Sequence, residues 1–261
     1  MVSLLDRVRG RSVVSAPSEP EPEPEDLFKE MTLQEHLEEL RQRLIYSGLA
    51  IAAGFIVGLV LAFPTLDLIT QMTGLEDLQA ISPTEPFITY TKVALYIGIG
   101  IAMPVIVYQI VRFLAPGLTR RERRYLYRAL PFVTLMFLSG VAFSFFVVIP
   151  RALHFLSNFG SQVFDAQFRA EEVISFYMTL LLWVGVVFEL PVVIFILAKL
   201  GIVDARRLSS LRKYALLVIM VGAAIITPTP DPFNMFLVAA PMYFLYEIGV
   251  LLARLAKPIS R

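Results

Sequence analysis

The sequence predicts an all-α integral membrane protein with six transmembrane helices, the last two of them short. Three observations lead to this fold class. Hydrophobic residues make up 57% of the 261 residues and charged residues 17%, whereas soluble domains are about 45–50% apolar and about 25% charged. The apolar residues gather in six long runs, and basic residues cluster in alternate connections between the runs. The net charge of only +1 gives no indication of nucleic-acid binding.

The first 31 residues read as a tail outside the membrane domain. They contain the acidic stretch SAPSEPEPEPEDLFKE, which cannot bury enough apolar surface to offset the entropy lost on ordering. We therefore expect a disordered acidic tail over residues 1–31, a six-helix membrane domain over residues 32–254, and a short cytoplasmic C-terminus over residues 255–261.

An amphipathic helix is predicted to begin at Thr32. Thr32 and Glu35 have the spacing of a capping box, the side-chain pair that closes a helix start. The leucines that follow recur at helical spacing: Leu33, Leu37, Leu40 and Leu44. An amphipathic helix beside a span is expected to lie at the membrane surface and to run into the span.

Six apolar segments follow. Four are long enough to cross a hydrocarbon core of roughly 30 Å as helices: 44–63, 93–111, 129–150 and 173–198. The other two, 214–226 and 233–253, are separated by the sequence TPTPDP. The first of this pair would reach only about 20 Å. The pair forms either two short spans or a re-entrant hairpin, and both arrangements leave the termini on one side.

Basic residues predict the orientation. If both termini are cytoplasmic, only three of the 23 lysines and arginines lie outside: Lys92, Arg151 and Arg169. Cytoplasmic loops of membrane proteins carry an excess of Lys and Arg. The sequence therefore predicts that the N-terminus and the C-terminus are both inside.

Motifs that indicate catalysis or metal binding are absent from the sequence. It contains no Walker A pattern, no HExxH and no GxSxG. There is no cysteine, and the two histidines, His36 and His154, are far apart. We therefore expect no enzymatic activity, no cofactor and no metal site.

Glu189 is the only charged residue inside the fourth apolar segment. Ten residues of helix separate it from Lys199, which places it about 15 Å from that boundary, near the middle of the bilayer. A charge there costs roughly 2.5–3.5 kcal/mol on insertion scales, so such residues are usually functional or paired. The alternative is a protonated acid that bonds a neighbouring helix and serves packing alone. Pro191 predicts a kink beside it.

Glu39 lies in HLEELRQRL, and Glu122 lies among four arginines in TRRERR. Each carboxylate has two interpretations. The first is a surface ion pair, such as Glu39 with Arg43 four residues later, worth a few tenths of a kcal/mol. The second is a site at the inner membrane face that holds an arginine-bearing ligand by bidentate hydrogen bonds. The usual weakness of exposed pairs favours the first interpretation.

Six stretches of the chain together resemble one family. They are HLEELRQRL, PTEPFITYTK, PVIVYQIVRFLAPGLTRRERR, FSFFVVIPRALHFL, FELPVVIF and PMYFLYEIGVLLAR. They cover nearly all of residues 33–254 in the expected order, and they resemble TatC, the polytopic membrane subunit of the twin-arginine protein translocase. Only the acidic tail lies outside the resemblance.

The resemblance implies a receptor subunit in the bacterial inner membrane, with six spans and both termini cytoplasmic. Such a subunit binds the twin-arginine signal peptides of folded proteins. With single-span partners of the TatA and TatB type, it exports these proteins by using the transmembrane proton gradient. It is expected to form a homo-oligomer within the complex, to contact membrane lipid and to bind no nucleic acid.

The resemblance also implies roles for individual residues. Glu39 and Glu122 match the acids that serve the arginine motif of the signal peptide, and Arg41 shapes the same surface. Glu189 matches an acid on the concave, membrane-embedded face, where it meets the signal peptide or a partner helix. Thr227 marks the end of the fifth span, along which a partner helix docks.

A second hypothesis comes from a different functional class. The chain could be a proton-coupled small-solute transporter in which Glu189 is the coupling acid. Transporters of that kind usually show internal repeats and interrupted helices in matching halves. We find no convincing similarity between the two halves, and the resemblance favours the translocase.

Overall fold

The computed structural model describes most of the membrane domain. The described residues are 33–73, 80–114, 120–159, 169–227 and 231–256. They form nine α-helices and one π-helical turn, which lies between α3 and α4. The helices are α1 (Leu33–Thr73), α2 (Glu85–Leu114), α3 (Arg120–Phe143), α4 (Ile149–Asn158), α5 (Ala170–Phe188), α6 (Leu190–Lys199), α7 (Ala205–Ser210), α8 (Arg212–Ile226) and α9 (Pro232–Leu255). The predicted tail, the Thr32 cap and residues 257–261 lie outside the described residues.

Five helical stretches in this part of the chain are long and apolar enough to cross a membrane. They are Gln34–Met72, Glu85–Phe113, Tyr127–Asn158, Ala170–Lys199 and Pro232–Leu255. They contain the first four predicted segments and the sixth. The fifth predicted segment forms α8, whose 15 residues reach about 22 Å, so α8 is as short as the sequence indicates.

The sixth segment is longer than expected. We predicted a short last span, but α9 has 24 residues and reaches about 36 Å. The helix begins at the TPTPDP turn itself, because Pro232 occupies its first turn and Asp231 accepts a hydrogen bond from the Asn234 N–H at 2.7 Å. Pro241 lies inside the helix without ending it. The prediction of two short final spans therefore holds for α8 alone.

Helices α1 and α2 pack so closely that backbone meets backbone. A Cβ atom at Gly54 would overlap the Gly98 carbonyl, and one at Gly58 would overlap the Ala94 carbonyl. The spacing of Gly54 and Gly58 is the small-xxx-small pattern that lets membrane helices approach. The Tyr90 hydroxyl donates a hydrogen bond to the Leu59 carbonyl across the same interface. The predicted surface helix and the first span are one continuous helix, α1, with Pro64 inside it.

Prolines shape the third and fourth spans. Pro150 has no N–H to donate, and its ring would clash with the carbonyl four residues earlier. The helix widens before it into a π-helical turn, Ser144–Val148, in which the Ile149 N–H donates to the Ser144 carbonyl. Pro191 interrupts the fourth span by a tighter turn, in which the Glu189 N–H donates to Val186, three residues back, at 3.1 Å. The helix is therefore broken at Glu189, where the sequence predicted a kink.

The bundle has two ends with different chemistry. Helices α2, α6 and α9 end, and α3 and α8 begin, at one end of the bundle, which we call the basic end. We call the opposite end, where α2, α5 and α9 begin, the Glu85 end. At the Glu85 end the Glu85 side chain is only 1% exposed. It accepts hydrogen bonds from the backbone N–H groups of Ile81, Ser82 and Glu171, and it pairs with Arg169 at 3.3 Å. This network joins the start of α2 to the start of α5.

A second charged contact holds the short helix α8. The Arg212 guanidinium donates two hydrogen bonds to the Glu247 carboxylate of α9, each at 2.8 Å. The Tyr243 hydroxyl donates to the same carboxylate at 3.2 Å. A planar guanidinium matches a carboxylate in this bidentate geometry. The contact therefore fixes the start of α8 against the end of α9.

The glycines of α1 provide a test of its packing on α2. Gly58→Ala is expected to destabilise the protein by about 1–3 kcal/mol, because overpacking a tight contact forces the backbone to shift. The matched control is Gly48→Ala on the same helix, where an added Cβ meets nothing within 4 Å and alanine is the better helix former. Thermal unfolding in detergent measures both variants. Equal melting temperatures for the two would contradict the packing argument.

Candidate functional site

Glu39 lies near the start of α1, at the basic end, and forms an ion pair within that helix. The Arg43 guanidinium donates a hydrogen bond to Glu39 Oε1 at 2.7 Å. Its other terminal nitrogen donates to Gln109 Oε1 of α2 at 3.4 Å. The Glu39 and Arg43 side chains are only 14% and 12% exposed. The ion pair that the sequence predicted four residues apart is therefore present, and it is largely buried.

The Glu39 carboxylate is only half satisfied. Its second oxygen, Oε2, is buried and accepts no hydrogen bond from the part of the chain that the structure describes. A carboxylate can accept hydrogen bonds at both oxygens, and a buried oxygen without one costs free energy. The geometry thus leaves one acceptor for a further donor, while Arg43 holds the carboxylate in place.

Arg41 occupies a different face of α1. Its side chain is 72% exposed, and its guanidinium lies 3.5 Å from Glu38 Oε1. Residues two positions apart on a helix do not face each other, so Arg41 does not share the Glu39–Arg43 contact. His36 stacks on Phe113 of α2 with ring centroids 4.5 Å apart, which packs the start of α1 on the end of α2.

Glu122 lies in the first turn of α3, which begins at Arg120. Its side chain is outside the described part of the structure. Helix α2 ends at Leu114, and the contact between His36 and Phe113 places that end beside the start of α1. Glu39 and Glu122 are therefore at the same end of the bundle, as the sequence predicted.

Glu189 is buried at the break between α5 and α6. The residue is 2% exposed, and neither carboxylate oxygen has a hydrogen-bond partner among the described residues. Its neighbours one turn away, Val186, Val192 and Val193, belong to the apolar cluster between α2, α3 and α6. The resemblance implies a concave, membrane-embedded face for this acid, and in the free chain its side chain is buried. A ligand contact with Glu189 therefore requires neighbouring side chains to move.

An apolar cavity lies in the membrane region of the bundle. Its volume is about 480 Å³, and it is half open. Residues of α1, α2, α3 and α5 line it, among them Tyr96, Phe137, Val141 and Leu182. Leu182 precedes Glu189 by seven residues, which is about two turns along the same side of the helix. The cavity and the buried acid are therefore on one side of the fourth span.

Thr227 ends α8 and is 5% exposed. Its hydroxyl donates to the Ala223 carbonyl at 2.8 Å, so the side chain serves its own helix. The outward face of α8 is apolar instead, because Leu217, Val218 and Ile225 are more than 60% exposed. The exposed surface of α8 is therefore formed by these apolar side chains and not by the Thr227 hydroxyl.

The chain is similar in sequence to the proteins of one known family. The family model for the Sec-independent protein translocase protein (TatC) matches residues 35–241. A TatC from Carboxydothermus hydrogenoformans is 42% identical over 88% of this chain and 96% of its own length. One from Koribacter versatilis is 40% identical over 91% of this chain and 90% of its own length.

The chain belongs to the TatC family. A crystal structure of the twin arginine translocase receptor TatC superposes with a TM-score of 0.74. The two sequences are 36% identical, and the superposition covers 85% of this chain and 99% of the chain in that structure. The resemblance stated from the motifs is confirmed, and the translocase interpretation prevails over the solute transporter. TatC is a family of membrane proteins and of translocase components, not an enzyme family.

Two features of the structure were not predicted from the sequence. Gln109, which binds Arg43, lies 66 residues away from it, and no local pattern connects them. Glu85 lies in the quoted stretch PTEPFITYTK, but it was not assigned a role. A signal for Glu85 existed, since an acid in the first turn of a helix complements the exposed N–H groups there.

Two buried acids of the protein provide a matched comparison. Glu189→Met replaces a carboxylate without hydrogen bonds by an apolar side chain of similar size, so the melting temperature in detergent is expected to stay constant or to rise, because a desolvation cost is removed. Glu85→Met removes the acceptor of three backbone N–H groups and of Arg169, and it is expected to lower the melting temperature by about 5 °C or more. A comparable fall in both variants would show that Glu189 has a structural partner.

Proposed function

We propose that the chain is the receptor subunit of a twin-arginine translocase in a bacterial inner membrane. It binds the twin-arginine signal peptides of folded proteins and, with TatA- and TatB-type subunits, exports those proteins by using the proton gradient. The observation that carries the proposal is the Glu39 carboxylate, which Arg43 holds at one oxygen and which keeps the other without a donor.

Two consecutive arginines require two acceptors at short range. Guanidinium groups bind carboxylates by paired, charge-assisted hydrogen bonds. In this proposal Glu39 and Glu122 accept the two arginines of the signal peptide at the basic end. Arg43 and Gln109 position Glu39, and the exposed Arg41 shapes the surrounding surface. The largely buried Glu39 makes such a bond stronger than one at a fully hydrated surface.

The apolar part of the signal peptide follows the arginines into the membrane. We assign it to the half-open cavity beside Phe137 and Leu182, with the carboxyl of Glu189 on the same side of the fourth span. An apolar segment gains by filling this cavity, and the unsatisfied Glu189 gains a hydrogen bond from any backbone or side-chain donor that enters with it.

The proposal includes a topology and partners. The chain crosses the membrane six times, with α8 as a short fifth span and with both termini cytoplasmic. This places the basic connections inside. Residues 1–31 form a cytoplasmic tail, residues 32–254 the membrane domain and residues 255–261 a short terminus. The exposed face of α8 and Thr227 receive a partner helix, and the subunit forms a homo-oligomer within the complex.

Signal-peptide crosslinking tests the receptor role. A photoreactive peptide with two arginines is expected to label the purified protein near Glu39 and Glu122, and a two-lysine peptide about tenfold less, because lysine cannot form the bidentate bond. Neutralising Glu39→Gln and Glu122→Gln together should abolish selective labelling. The matched control is Glu38→Gln, which removes an exposed acid from the position beside Glu39 and should leave labelling intact.

The possible outcomes separate the assignments. Labelling that survives the double substitution would refute the role of the two acids. Labelling that falls equally in Glu38→Gln would indicate a general effect of negative charge at the basic end. Arg43→Gln is expected to weaken binding without abolishing it, because Glu39 loses its positioning partner and keeps its charge.

Transport assays test the role of Glu189. Glu189→Gln, which keeps the size and polarity of the side chain but removes its acid, is expected to reduce export at least tenfold while signal-peptide crosslinking at the basic end is retained. The melting temperature serves as the control for folding. Normal export together with a lowered melting temperature would mean that Glu189 serves packing alone.

A further inference from the structure

A second cleft lies between α3, α6 and α9, near the basic end. Its volume is about 370 Å³, and it is half open. One side is formed by Ala129 and Phe132 of α3, and the other by Val192 and Phe195 of α6 with Leu252 of α9. The cleft is distinct from the cavity beside Leu182, with which it shares no lining residue.

One cation lines the cleft, and a second lies beside it. Arg128 belongs to the lining, and its guanidinium has no acidic or hydrogen-bonding partner among the residues that the structure describes. The Lys199 ammonium lies 5.5 Å from the ring centre of Phe195, which is also a lining residue. None of the six residues that line the cleft is acidic.

The position of Lys199 is determined by the end of helix α6. Helix α6 ends there because Gly201 takes a positive φ of 72°, a conformation that glycine adopts without strain. The Ile202 N–H then donates to the Leu197 carbonyl at 3.0 Å, and the Gly201 N–H donates to Ala198 at 3.1 Å. These two bonds are the Schellman motif, which closes a helix end. Lys199 is therefore the last helical residue, at the level where the apolar lining ends.

Two further cations lie at the basic end. Arg254, on α9, donates to the Ser209 hydroxyl at 3.3 Å, and Arg212 is bound bidentately by Glu247. Arg128 and Lys199 are placed at the cleft by the lining itself and by the Phe195 ring. An occupant that complements the whole cleft has an apolar portion and, at one end, a negative group at the depth of the membrane interface.

We propose that this cleft is a binding site for an anionic phospholipid. One acyl chain lies along Phe132, Val192 and Leu252, and the phosphate of the headgroup lies between Arg128 and Lys199. Basic pockets between transmembrane helices bind anionic headgroups in this way, and each cation near the surface contributes about a fivefold gain in affinity. The site goes beyond signal-peptide recognition and does not depend on it.

Quenching by brominated lipids tests the site, since the sequence contains a single tryptophan, Trp183. In a Trp183→Phe background, Phe132→Trp reports from the cleft and Phe146→Trp reports from an exposed position on the same span, toward the other end. Each reporter is reconstituted in phosphatidylcholine with either brominated phosphatidylglycerol or brominated phosphatidylcholine. We expect at least a tenfold preference for the anionic lipid at the Phe132→Trp reporter and none at Phe146→Trp.

Charge variants then assign the preference to the two cations. Arg128→Gln and Lys199→Gln are each expected to reduce it about fivefold, with quenching by brominated phosphatidylcholine unchanged as the control for folding. Lys213→Gln is the matched control, because Lys213 also lies over an aromatic ring at the basic end, that of Tyr214 at 5.1 Å, and it does not line the cleft.

Four results with the two brominated lipids would overturn the proposal. The first is equal quenching by the two lipids at the cleft reporter, and the second is an equal preference for the anionic lipid at both reporters. The third is a preference for the anionic lipid that survives loss of both cations. The fourth is protection of the cleft reporter from both lipids. The last result would indicate that a protein segment fills the cleft. Soluble glycerol phosphate should not displace the lipid, because it lacks the acyl chain, and displacement would likewise contradict the site.

Discussion

The absence of water from the hydrocarbon core is the constraint on which this structure depends. Backbone N–H and C=O groups in that layer must be satisfied within the protein, so the chain crosses it as helices. Where a proline removes a donor, the correction is made inside the span. The π-helical turn before Pro150 and the three-residue hydrogen bond before Pro191 keep the helix nearly continuous. Both interruptions contain buried residues, Ser144 and Glu189 among them.

Acidic side chains follow the same constraint, and the two buried acids with unbonded oxygens in the described part of the chain belong to the candidate site. At both ends of the bundle, acids are bound by cations of other helices or turns, as Glu85 is by Arg169 and Glu247 by Arg212. Glu39 is satisfied at one oxygen only, and Glu189 at neither, among the residues described. Buried polar groups in native proteins are nearly always hydrogen-bonded. A carboxylate that lacks a hydrogen bond in the free subunit can accept one from a ligand.

Local and long-range features differed in how well the sequence predicted them. Hydropathy alone located five of the spans, and helical spacing alone paired Glu39 with Arg43, because both depend on neighbours in sequence. The enclosure of Glu189 and the bond from Arg43 to Gln109 depend on which helices pack together, which no local pattern contains. Helix α9 extends the predicted segment 233–253 by Pro232 at its start, where proline fits the first turn of a helix, and by two residues at its end. The family resemblance supplied roles for Glu39 and Glu122 that physical chemistry alone ranked second.

The contact of α1 with α2 has a mechanical consequence. Gly54 and Gly58 allow the two backbones to touch. Because tightly packed interfaces resist gradual deformation, we expect the two helices to move as one unit. Helix α1 alone extends about 60 Å over its 41 residues. Glu39 lies near one end of this helix pair. At the other end, Glu85 binds Arg169 and the first turn of α5. A tilt of α1 at the Glu39 end would therefore be carried by α2 as well, along the whole length of their contact.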